Sequence, residues 1–194
     1  MASAIDVCNL ALAHLGEDPS VSSIDPPEGS AHAEKCKRFY PIARDVALEM
    51  RNWSFAMKRV ALAELTNDSD AWFYKYALPA DCLRAVGVLQ PEVTDENQDS
   101  SDFVIEGQYL YTNAPEATLR YLYKLTDTTK FSPLFVNAVS WLLASYLAGA
   151  ICEDKNVKNW CLEMFDRELS LGAQSVANAS QTTNTYTASW IGKR

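Results

Sequence analysis

Residues 33–62, AEKCKRFYPIARDVALEMRNWSFAMKRVAL, and residues 72–84, WFYKYALPADCLR, hold the reading that decides the fold. Ala33, Cys36, Tyr40, Ala43, Ala47 and Met50 recur at helical spacing and predict an amphipathic helix over 30–51. Pro41 lies inside it without an amide hydrogen, so a kink or split is expected near Phe39. Residues 72–76 alternate and are rich in aromatics, as a half-buried strand is, and Pro79 forces Leu78 into extended backbone. Residues 60–70 fit neither period. Tyr40, Arg44, Asp45, Leu48, Trp53, Phe55, Arg59, Trp72, Tyr76, Asp81 and Arg84 therefore form a set of aromatic anchors and ion-pair candidates, which is the pattern of a scaffold.

Outward from this stretch the chain alternates between helical and extended patterns. Ser3 caps a first helix over 3–15, with Ile5, Cys8, Leu12 and Leu15 at helical spacing and Gly16 as its stop. Residues 17–29 carry three prolines and predict a loop. Strands are expected over 83–89 and in a hairpin at 103–111, FVIEGQYLY, that turns at Gly107. Residues 118–125 set Leu119, Tyr121 and Tyr123 against Arg120 and Lys124, so one face should pack and the other meet water. Ser132 and Pro133 start a helix over 133–152 that carries no charge. It is long enough to cross a bilayer, yet Asn137, Ser140, Ser145 and Gly149 dilute it and no basic cluster orients it, so it reads as a buried central helix. A last helix over 154–177 turns Val157, Trp160, Cys161, Met164, Phe165 and Leu171 inward and Glu163, Asp166, Arg167 and Glu168 outward.

The expected fold is mainly α: a four-helix bundle-like core with a small antiparallel β insertion, at about 72–125, between the second and third helices. No Gly/Ser-rich linker brackets the insertion, so residues 1–177 form one domain. Residues 178–194, NASQTTNTYTASWIGKR, lack a helical period and read as an extended, flexible C-terminal tail.

Composition narrows the function. A chain of 194 residues buries enough surface to fold without staples, and five scattered cysteines with no C-x-x-C pair argue against a disulfide framework or a zinc site. The net charge of -8 is unevenly spread. Residues 35–59 carry seven basic side chains against two acidic ones, whereas 92–106 carry six acids and no base. An acidic chain repels a duplex, so tight DNA binding is disfavoured.

In order and spacing, CNLALAHLGE (8–17), the 33–62 and 72–84 stretches, IEGQYLYTN (105–113), ATLRYLYKLTDTTKFSP (117–133) and LFVNAVSWLLASYLA (134–148) resemble the tail tubular protein A family of short-tailed phages. The resemblance spans roughly three quarters of the chain and weakens after Ala150. It implies a structural adaptor in the virion tail, a ring, expected to be a dodecamer, between the portal of the head and the tail nozzle. Genomic DNA would pass through the ring without specific binding, and tail fibres would hang nearby. Assembly would take place in the host cytoplasm, with no membrane partner and no cofactor. The family's C-terminal segments imply portal contact, which here falls on Tyr186, Trp190, Ile191, Lys193 and Arg194.

Two other classes fit less of the sequence. One is a virion-associated peptidoglycan hydrolase, which needs a pair of carboxylates with one kept protonated; Glu106 is the best single candidate. The other is a head-completion connector of a long-tailed phage. His32 stands four residues before Cys36 on one helical face, but the further ligands of a metal site are not in evidence, and His14 lies in the first helix. No nucleotide-binding, G-x-S-x-G or H-E-x-x-H motif occurs, so no catalytic residue is assigned.

Overall fold

The computed structural model describes residues 2–89, 101–152 and 154–179. Among them are four helices, α1 (Ala4–His14), α2 (Ala31–Met50), α3 (Pro133–Ile151) and α4 (Lys155–Ala179). Seven strands lie between α2 and α3: β1 (Met57–Ala61), β2 (Glu64–Leu65), β3 (Tyr74–Ala77), β4 (Cys82–Leu89), β5 (Phe103–Glu106), β6 (Tyr109–Thr112) and β7 (Thr118–Tyr123).

The helix ends follow their sequence signals. Ser3 and Asp6 close a reciprocal capping box on α1, Ser30 accepts from the Ala33 amide at 3.1 Å, and Ser132 accepts from the Phe135 amide at 3.3 Å. Gly16 leaves α1 at φ +78°, a conformation that costs glycine little. α2 runs through Pro41 as one helix. Lys37 and Pro41 are both exposed, so the carbonyl that loses its amide partner faces water rather than the core.

α3 is the hub of the helical layer, with α1, α2 and α4 all packed on it. It meets the length and hydropathy of a membrane span, and 56% of that apolar window is buried by its neighbours. Its first turn anchors an aromatic cluster: Phe135 lies 5.0 Å from Trp53, 5.3 Å from Phe55 and 4.8 Å from Phe131, each edge to face.

The strands form two antiparallel sheets, and this corrects the expected fold class. The first has the order β1-β7-β4 and the second β2-β3-β6-β5. The molecule is an α+β fold in which helices and sheets are layered, not a mainly α bundle with a small insertion. β7 shows why: Leu122 is buried in the helical core, while Leu119 and Tyr121 point the other way into a second core with Tyr76 and Leu110. The first sheet thus lies between the helices and the second sheet; on the Arg120 face of β7 only Leu122 is fully buried, and Arg120 itself stays partly open. Strand structure also begins at Met57, ahead of the expected start near residue 72.

Candidate docking surfaces

The expected portal contacts Tyr186, Trp190, Ile191, Lys193 and Arg194 lie outside the described residues. The candidate chemical residues are placed and do not converge. Glu106 ends β5 in the open, opposite Tyr109 across the hairpin. His32 approaches Glu17 at 4.0 Å, whereas Cys36 is buried beside Cys8, so the helical spacing brings no shared ligand set. No group of three or more His, Cys, Asp or Glu is placed to hold a metal among the described residues.

The basic stretch at 35–59 separates into paired and unpaired portions. Arg44 is buried and forks onto Asp45 at 2.7 and 2.8 Å, and Asp45 also takes Lys124 at 2.9 Å, tying α2 to the chain after β7. Lys58 bonds Asp81 at 2.6 Å and lies over the Tyr123 ring. Asp81 also accepts from the Tyr121 hydroxyl at 2.9 Å. Lys58 chiefly holds the Asp81 carboxyl below its usual range, and burial chiefly pushes Tyr121 up to about 12.

What stays available is the N-terminal half of α2. Lys35 donates to the Ala150 carbonyl at 2.9 Å, completing the end of α3, and with Lys37 and Arg38 it lines a cavity of about 730 Å³. A second cavity of about 270 Å³ lies beside it, lined by Phe39, Ile42, Tyr146 and Lys158. Phe39 belongs to both, so the two make one groove with an apolar floor and a basic rim. Ile42, at 51% exposure, leaves that floor open to solvent.

The second sheet has the opposite character. Residues 62–77 and 101–117 carry six carboxylates and a single lysine, Lys75. That lysine is buried, bonded to Asp68 at 2.6 Å and covered by the Tyr109 ring at 4.2 Å, so its charge is withdrawn from the surface. The Asp68 carboxyl is held below its usual range by Lys75 first and the Tyr111 hydroxyl second. The register puts Val104, Glu106 and Tyr109 on the face of Lys75, away from Tyr76 and Leu110, and they are exposed, as are Asp102 and Phe73, the last at 77%.

A third feature is a surface stack of rings. His14 lies parallel on Trp141 at 3.5 Å, and Trp160 meets Trp141 edge to face at 4.9 Å. Burial lowers the His14 pKa, and its Nε2 pairs with the Ser140 hydroxyl at 3.1 Å. Cys161 and Phe165 are buried as their spacing predicts, whereas Trp160 is 46% exposed and Leu171 40%; Leu169 completes the buried stripe of α4. The four-residue spacing of that stripe carries the signal that points to Leu169 in place of Leu171.

Compared with models of known protein families and with curated proteins, the chain matches no family and no curated protein.

Proposed function

We propose that this chain is a structural adaptor of a phage tail, a subunit of a ring that joins the portal of the head to the tail nozzle and surrounds the DNA exit path. The observation that carries the reading is a pair of exposed docking surfaces of opposite charge, one built on α2 and α3 and the other on the second sheet. Adaptor subunits need several faces with distinct chemistry because each must meet unlike neighbours at once. The order of sequence motifs adds independent support, since it runs through both the helical and the sheet layers.

On this reading the chain works by contact and not by catalysis, with portal, nozzle and tail fibres as partners in the virion. The net charge of -8 works against a grip on passing DNA. The tail at 178–194 supplies the portal anchor, led by Trp190, the kind of aromatic that dominates interface energetics. The decisive experiment mixes purified chain with its purified portal and weighs the product by native mass spectrometry. A ring of chains added to the portal is expected. Portal that keeps its own mass at saturating chain concentration overturns the proposal.

A further inference from the structure

The two docking surfaces complement each other as well as outside partners. The α2/α3 groove has an apolar floor at Phe39, Ile42 and Tyr146 and a rim of Lys35, Lys37, Arg38 and Lys158, with Glu34 its single acid. The second sheet offers the converse on the face turned away from Tyr76 and Leu110: Phe73, Val104 and Tyr109 are exposed there beside Asp102 and Glu106. The first sheet stands between the second sheet and the helices, and Asp45 and Asn52 beside that sheet mark the C-terminal half of α2. The groove opens at the other half, from Ala31 to Ile42. The two surfaces therefore belong to different regions of one molecule.

We propose that the outer face of the second sheet in one copy seats in the α2/α3 groove of the next copy. The occupant is a second copy because the groove calls for an apolar surface bearing carboxylates, and this chain carries one while its only lysine there is neutralised. Phe73 is the anchor, placed against Ile42 and Tyr146, and Asp102 and Glu106 answer Lys35, Lys37 and Arg38. The contact is heterologous: each copy gives a sheet to one neighbour and a groove to another, so the assembly grows in one direction until it closes as a ring. Its ionic part is exposed, so salt weakens it, and a template that holds copies side by side strengthens it through effective concentration. This inference deepens the adaptor reading by naming the faces that meet within the ring.

The test needs no portal. In low salt at sub-millimolar concentration, a mixture of light and 15N-labelled chain is treated with a zero-length carbodiimide and the mixed-isotope links are mapped. Links from Lys35 or Lys37 to Asp102 or Glu106 between copies are expected. Two variants then isolate the faces: a groove variant, Ile42→Asp with Arg38→Glu, and a sheet variant, Phe73→Ser with Glu106→Lys. All four positions are exposed, and circular dichroism melts check that each variant folds. Alone, each variant should self-associate roughly tenfold or more weakly than the parent by sedimentation. Mixed, they retain one good groove and one good sheet between them, so they should form a 1:1 pair that does not grow. Inter-copy links that are absent or map elsewhere overturn the proposal, as does a variant mixture that fails to pair or that grows beyond a pair. Such a failure with portal attachment intact would leave the adaptor reading standing and remove only this contact.

Discussion

Trp53 shows how far one side chain can organise this molecule. It is 1% exposed, its indole donates to the Ala47 carbonyl at 2.9 Å, and its ring fills the space that Gly172 leaves on α4. Emptying such a site removes both transfer energy and packing, so Trp53→Ala should cost about 3 to 5 kcal/mol in urea melts. Gly172 is the matching half: a Cβ there would stand 2.5 Å from Trp53 Cη2, and the pinned indole has no free direction to move. Gly172→Ala should therefore cost about 1 to 3 kcal/mol, and less in a Trp53→Leu background, a non-additivity that a double-mutant cycle measures. At Asp81 the prediction concerns pH. Its folded pKa is depressed by Lys58 and Tyr121, so its stabilisation is present above the ordinary value of 3.8 and is lost as pH falls through the lower folded value. Asp81→Asn should melt below the parent at pH 7, with the gap closing as pH drops well under 3.8. A gap of constant size in melts taken across that range would show that the charge is not what Asp81 contributes.

At the scale of elements, capping and turn chemistry were legible because they are local. Ser3, Ser30 and Ser132 cap the helices their sequences announce, and Gly107 turns the β5–β6 hairpin at φ +63° between the paired Glu106 and Tyr109. A side chain with a Cβ is strained there, so Gly107→Ala should destabilise by about 1 kcal/mol or more, read as a lower melting temperature. Helix faces were less legible. Met50 ends α2 at 50% exposure where the pattern points it inward, because Ala47 and Leu48 hold the buried side of that last turn. Leu171 is likewise exposed, and Trp160 is held at the surface by its contact with Trp141. Strand β1 was hidden for a related reason: four of its five residues are exposed, so no alternation of apolar and polar side chains marks it.

At the scale of the molecule, the tail carries the remaining prediction. The last side chains of α4 in the described core are Cys161, Phe165 and Leu169, well before residue 180, so deleting residues 180–194 should leave the melting temperature within a degree or so, a small change for a domain of this size. Under the proposed function the same deletion should abolish co-sedimentation with portal, and parental co-sedimentation would show that the portal anchor is not in the tail. The sequence by itself determined the four helices nearly to the residue, the hairpin and the buried character of α3. Each of these rests on spacing, capping or composition within about one turn or one strand. Only the tertiary structure decided that the fold is α+β, that β7 contributes to two cores, that Arg44 and Lys58 are neutralised while Lys37 and Arg38 stay open, and that Phe73 of the second sheet is left exposed. Those outcomes depend on which surfaces meet across long sequence separations. A period along the chain reports that a face is apolar; what covers it, and which charges find a partner, is settled by the packing of layers.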